Sequence, residues 1–304
     1  MELDPFVLKS KEFQLNILMI TMSTIKTGSY SISNLADSKK INVLNQLQEN
    51  ILNRVAYLIQ FLEKKSPILK EKYVNSLLDK ISMDKSIISY NITPIFQKFP
   101  VLENFPLLVE QVIGRTLEIL NIPVRIMDLN TEVETTNRAN IRSYLIFRYY
   151  NVQSIIESTD RVRGISLYKE FVTEYVKSFA PQNPPIKSLE EFRSATIQSN
   201  KKKPNIGWVI LQGKIQDGKF PQRKDTCMWK DAIQDLPDQE LKYLVACYGD
   251  FQGYNNSNPA FRLTMEHTIM EGDPYCSCCL HDTRITGNLT HPSREFYDSM
   301  KEGI

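Results

Sequence analysis

Apolar residues recur at helical spacing through most of the first two hundred positions. After Asp4-Pro5, a helix start with Pro5 at the first helical position, Phe6, Phe13, Ile17 and Ile20 follow at such spacing. Residues 21–40 are rich in Ser, Thr, Lys and Asn and read as a loop. Over 43–64, Leu44, Leu47, Ile51, Val55, Leu58 and Leu62 form one apolar stripe, the mark of a long amphipathic helix. Ser66-Pro67 restarts a helix that runs to about Ile81. Pro94, Pro100 and Pro106 argue against a regular helix over 84–106, and 107–120 is helical again. From Glu134 a wide apolar face (Ala139, Ile141, Leu145, Tyr149, Val152, Ile155) predicts a second long helix. The next covers 165–179, after Gly164, and Ser188-Leu-Glu-Glu191 is a capping box for one over 189–199.

Past Pro204 the period changes. Trp208, Val209, Ile210, Leu211 and Ile215 predict a strand, and Asp217-Gly218 a hairpin turn. Pro237-Asp238 begins a short helix with Leu241, Leu244 and Val245 inward. Residues 253–259 read as a loop, and 261–269 with 275–282 as a β-hairpin turning at Gly272-Asp273. The expected fold class is α+β: a mostly helical N-terminal two thirds, then a C-terminal part with a small antiparallel sheet packed on helices. The expected division is a helical extension over 1–130 and an α+β domain over 131–304.

Composition narrows the partners. The chain is 42% hydrophobic and 24% charged, as in ordinary globular proteins. A net charge of +2 gives no electrostatic reason to expect nucleic acid or a membrane surface as a partner. No apolar run approaches the roughly 18 residues that a span needs. Glu2, Asp4 and Glu12 make the N-terminus unlike an export signal. Five cysteines in such a chain are expected to be reduced thiols in the cytoplasm. The first 130 residues hold no His or Cys, which suits a scaffold, and a homodimer through these helices is the expectation.

Chemistry is concentrated in 225–282. All five cysteines, two of the three histidines and Trp229 fall there. A hairpin centred on Gly272-Asp273 sets Ile269 opposite Cys276 and His267 opposite Cys278. Alternation then places Met265, His267, Cys276 and Cys278 on one face, and Arg262, Thr264, Glu266, Cys279 and His281 on the other. Three readings of the first face stand side by side. Cys-x-Cys with an opposed His has ligand types suited to zinc, but Cys227 and Cys247 make no second close pair, and no metal is expected. Several of these cysteines could be small buried hydrophobes. The third reading is a nucleophile, Cys276 beside His267 or Cys247 beside Asp250, with a nearby His or helix N-terminus lowering the thiol pKa.

Cys227, then Leu241-x-x-Leu244-Val245-x-Cys247-x-x-Asp250, Asn258-Pro259, Arg262, Thr268 and Glu271-Gly272-Asp273-x-x-Cys276 come in a telling order. Over roughly 135–283 the chain resembles the L-2-amino-thiazoline-4-carboxylic acid hydrolase family. The resemblance implies a hydrolase that adds water to the amidine carbon of a small heterocycle and opens a C–N bond. It implies a small-molecule substrate, and no cofactor is expected. The catalytic candidates are Cys276, Cys247, Asp250 and His267. The substrate-binding candidates are Arg262 (for a ring carboxylate), Asn258, Cys227 and Trp229. Ser277-Cys278 stands where the family commonly has Asp-Phe, and this motivates the alternative of a non-hydrolytic ligand-binding or cyclisation/addition module on the same fold.

Overall fold

The computed structural model describes residues 24–82, 90–123, 128–179, 186–202 and 207–301. The helix expected after Pro5 lies outside them. The strands are β1 (Ile25–Thr27), β2 (Ser38–Asn42), β3 (Glu132–Thr136), β4 (Ile210–Gln212), β5 (Lys219–Lys224), β6 (Phe261–Met265) and β7 (Cys276–Asp282). The helices are α1 (Asn53–Lys65), α2 (Pro67–Ile81), α3 (Thr93–Lys98), α4 (Pro106–Ile119), α5 (Asn137–Ser158), α6 (Arg161–Lys177), α7 (Leu189–Lys202), α8 (Met228–Ala232), α9 (Gln239–Ala246), α10 (Gly249–Ser257) and α11 (Arg294–Ser299). The fold is α+β, with the helices mostly early and the main sheet largely late.

Most helix starts follow from caps legible in the sequence. Ser66 accepts from Leu69 N at 3.4 Å, Asp160 from Arg163 N at 2.9 Å and Asp238 from Leu241 N at 3.2 Å. The stripe over 43–64 is helical but irregular: a single α-turn Val43–Asn45 and a π-helical stretch Gln46–Leu52 precede α1. Two expected loops are corrected. Residues 21–40 contain β1 and β2, short strands whose side chains are mostly exposed and therefore lack an apolar alternation. Residues 253–257 belong to α10, which buries no side chain fully and shows no apolar stripe.

Contacts divide the chain into two compact units. One is built from Ile32–Ser178 with Trp229–Gly249, and the other from β1, the segment Phe179–Met228 and the chain from Asp250 onward. In the helical unit α5 packs against α2, α6 and α9. Leu145, Val152 and Ile155 of α5 are fully buried, as are Leu58, Leu62, Tyr73 and Leu77. The two-stranded ladder β2–β3 belongs to this unit.

The other unit holds a five-stranded antiparallel sheet of order β1-β4-β5-β7-β6. At the β4–β5 turn, Asp217 (φ 51°) and Gly218 (φ 71°) are both left-handed, as the tightest hairpin turn requires. α7 covers part of one sheet face: Leu189 and Phe192 pack on Phe220, Phe261 and Leu280. α11 takes part in a cluster on the other face, where Tyr297 and Met300 pack with Leu211 and Tyr275.

Gly164 is a contact point rather than a helix break. A Cβ there would lie 2.7 Å from Ile156 Cα, inside any tolerable approach. Gly164→Ala is expected to destabilise the protein by about 1–3 kcal/mol through overpacking between α5 and α6. A lower urea midpoint at an unchanged slope would show it.

Candidate functional site

Every residue of β7 is buried. A strand covered on both sides sorts its side chains by alternation. Cys276, Cys278 and Leu280 face one way, and Ser277, Cys279 and His281 the other. The ladder with β5 sets Lys224 opposite Cys276 and Gln222 opposite Cys278. The ladder with β4 sets Gln212 opposite Gln222, and β1 adds Thr27 opposite Ile210. One face of the sheet therefore carries Thr27, Gln212, Gln222, Lys224, Cys276 and Cys278 in adjoining positions.

The thiols sit in an apolar setting. Cys276 and Cys278 cluster with Leu263 and Ile269, and Cys227, Phe251, Tyr254 and Met265 pack around them. Cys276 Sγ accepts a hydrogen bond from Ile269 N–H at 3.3 Å. Lys224 is the cation of this face. Its side chain is 18% exposed, its Nζ is 3.9 Å from Asp250 Oδ2, and it lies 5.6 Å from the Trp208 ring centre. Asp250 itself is 44% exposed.

Burial pushes the Cys276 thiol up to about 12; neighbouring Cys278 adds to the shift, and Lys224 and the Ile269 N–H only partly offset it. Cys278 is raised for the same first reason. The expected lowering of a thiol pKa by histidine is thus corrected: burial in an apolar cluster wins, and the thiols rest protonated. Lys224 feels burial as a force against its charge, but Cys278, Tyr254, Asp250 and Cys276 together hold its pKa well above the usual value. The resting face is two neutral thiols beside an ammonium.

The same face is rich in unused polar atoms. Gln212 is 0% and Gln222 2% exposed. Gln212 Nε2 and Oε1, Gln222 Nε2 and Thr27 Oγ1 are buried with no hydrogen-bond partner among the described residues. Asn200 Nδ2 shares that condition, on the helical stripe that continues from Leu189 and Phe192. A buried donor or acceptor left unmet costs about 1–3 kcal/mol, so this polar group points to a partner from solution.

The other candidates are dispersed. The hairpin register differs from expectation, because Met265, not His267, lies opposite Cys278. The connection is longer than two residues. Thr268 caps a 3-10 turn over Ile269–Glu271 and its N–H donates to Asp273 Oδ2 at 2.9 Å, and Gly272 takes φ 108°. A two-residue slip keeps parity, so Cys276 and Cys278 still share a face with Met265. His267 has left the ladder: its Nδ1 is 3.5 Å from Asp273 and its ring stands edge-on to Tyr275. Arg262 is exposed, donating to the carbonyl oxygens of Pro259 and Phe261. Asn258 is a loop anchor, bonded to Ile186 O at 2.7 Å and Ala260 N at 2.8 Å. Cys227 adjoins the thiol cluster. Cys247 ends α9, donating its N–H to Tyr243 O at 2.8 Å, and belongs with Trp229 to the helical unit. Among the described residues no three His, Cys, Asp or Glu side chains gather as a metal site would require. No described helix is long and apolar enough to cross a membrane.

On the opposite face, Thr264 Oγ1 bridges His281 Nε2 and His291 Nδ1, both at 2.8 Å, and His291 Nε2 lies 3.0 Å from Ser277 Oγ. His291 stacks on Tyr297 with ring centres 5.2 Å apart. Burial, then neighbouring His281, lowers His291 to about 4, and burial lowers His281 too.

A sheet with one thiol-bearing face, packed by α7 on that face and by the α11 segment on the other, defines an α+β unit. Residues 148–280 match the family model of L-2-amino-thiazoline-4-carboxylic acid hydrolase, a name that implies hydrolase activity for that family. The matched span begins in α5 and ends in β7, enclosing Gln212, Gln222, Lys224, Cys276 and Cys278. No curated protein and no solved structure matches the chain.

The histidine pair makes acid costly. The unfolded chain takes up protons near pH 6.5, while folded His291 resists them until about 4. Stability is therefore full above about pH 6.5 and falls as pH drops toward 4. Melting temperature measured across that range should decline in the wild type, with a shallower slope in His291→Gln.

Proposed function

We propose that the protein hydrolyses a small cyclic C–N substrate of the amidine or thiazoline type on the Cys276 face of its sheet. The observation that carries this reading is the row formed by Lys224, Cys276, Cys278 and Gln222, in a domain matched by a hydrolase family. Lys224 is the cation for a substrate carboxylate, a role for which the sequence suggested Arg262. Asp250, 3.9 Å from Lys224, suits the cationic amidine end. Gln212 and Gln222 supply paired donors and acceptors for the ring and its exocyclic nitrogen.

Because Cys276 rests as a thiol, addition proceeds with transfer of its proton. The Sγ–C bond forms at the amidine carbon, the C=N electron pair moves to nitrogen, and that nitrogen takes the thiol proton. A C–N bond of the adduct then breaks, with the leaving nitrogen protonated by Lys224. Water attacks the remaining thioimidate carbon; one of its protons returns to Lys224, and the other goes to the Cys276 sulfur as the C–S bond breaks and C=O forms. Cys278 is the neighbouring thiol that keeps the pocket apolar, and Cys247 and His267 have no step in this scheme.

One observation favours a second reading, a binding module without hydrolysis: burial holds both thiols protonated. Turnover of 2-amino-thiazoline-4-carboxylate followed by mass spectrometry separates the two. Cys276→Ser should lower kcat at least about a hundredfold, and Lys224→Gln should lower kcat/KM by a similar factor. Full activity in Cys276→Ser would end thiol catalysis. Ligand-induced thermal stabilisation with no product from any cyclic amidine acid would establish the binding module instead.

A further inference from the structure

The helical unit has an electrostatic anomaly of its own. Arg54 of α1 is 6% exposed. Its guanidinium stands over three rings of α6, 5.9 Å from Tyr168, 5.2 Å from Phe171 and 4.8 Å from Tyr175. Arg148 of α5 stacks on Tyr144 at 5.0 Å. Burial, and then the charge of Arg54, makes Arg148 easier to deprotonate than a free arginine, so the two cations lie within electrostatic reach.

Among the described residues these guanidiniums donate hydrogen bonds to neutral groups: Arg54 Nη2 to the Tyr168 hydroxyl at 3.3 Å, and Arg148 Nη1 to Val245 O at 3.3 Å. Among the described residues neither is ion-paired with a carboxylate. Both leave Nε buried without an acceptor. Elsewhere in the same unit arginines are paired: Arg142 with Asp235, and Arg161 with Asp238 and Glu240. Buried charges are normally matched by a counter-charge, since aromatic faces attract a cation without neutralising it.

We propose that Arg54 and Arg148 form a binding site for a small oxyanion, a carboxylate or phosphate group. The Nε and its neighbouring Nη make the edge of a guanidinium that fits two oxygens at once, and here the Nε of that edge is without an acceptor on both arginines. An oxyanion there would satisfy both Nε donors and cancel the repulsion between the two charges. The Tyr168 hydroxyl, already held by Arg54, lies beside the same group. This site is independent of the Cys276 face.

Thermal shift and isothermal titration with inorganic phosphate and with malonate, against sodium chloride at equal ionic strength, test the proposal. The expected result is saturable stabilisation by phosphate, malonate or both, absent with chloride. Arg148→Gln should weaken that response at least about tenfold, the loss of one charge-assisted contact. The relative response to the two probes says whether the natural ligand is a phosphate or a carboxylate. Arg148 is the less buried arginine, so its variant is the safer one to fold; Arg54→Lys, which keeps the charge and loses the fork, should weaken binding as well. The proposal is overturned if neither anion saturates, or if the wild type and Arg148→Gln respond alike, leaving the two arginines as aromatic stacking partners only.

Discussion

The double burial of β7 is the constraint on which the sheet unit depends. A strand exposed on one side can place its chemistry in solvent, whereas a strand covered on both must send each side chain into one of two dry layers. Alternation does the sorting. Thiols and Leu280 fall on the face where β5 brings Lys224 and Gln222, and Ser277 and His281 fall where Thr264 and His291 complete a hydrogen-bonded seam. The two layers answer burial differently. The seam bonds His281 Nε2 and both His291 nitrogens to hydroxyls, leaves His281 Nδ1 outside that network, and burial favours the neutral rings. The thiol layer keeps a positive charge beside Asp250 and several amide atoms without internal partners, an arrangement that favours a solute able to meet those amides.

Much of the fold was legible because it is written in local signals. Ser66 and Asp238 start helices by accepting from the N–H three residues on, as the chain reads; Asp160 does the same but went unread, because Gly164 suggested a break instead. Asp217-Gly218 turns as its type demands. What escaped is what depends on pairing across distance. β1 and β2 have exposed, polar side chains and acquire strand geometry only from their partners. α10 shows no apolar stripe because none of its side chains is fully buried.

The candidate site was legible in its cysteines and not in their companions. Cys227, Cys276 and Cys278 do gather, and Asp250 Oδ2 lies 3.9 Å from Lys224 Nζ. Lys224, Gln212 and Gln222 look like surface residues in the chain, and their inward direction follows from register alone. The tight turn does not settle that register. Gln216 pairs with Lys219, yet Gln212 pairs with Gln222, so four steps along β4 match three along β5 and a bulge lies between. Counting outward from the turn would have misplaced both glutamines. Arg262 and His267 present the converse case. Their residue types suited the chemistry, but Arg262 is exposed and His267 belongs to a capped turn.

The π-helical stretch Gln46–Leu52 changes the phase of everything that follows it. Each wide turn accommodates one residue more than an α-turn, which advances the helix by about 100° of rotation without adding a full turn of length. Side chains ahead of the stretch and those of α1 are thus aimed differently from an unbroken helix, and neighbouring positions such as Gln46, Leu47 and Gln48 are all buried. The two glutamines meet this by finding fixed acceptors, Ser143 Oγ at 2.9 Å and Pro94 O at 3.1 Å. Removing one residue from the stretch would restore ordinary winding and, in doing so, swing Arg54 away from the rings of α6. The defect in the helix is what aims that guanidinium.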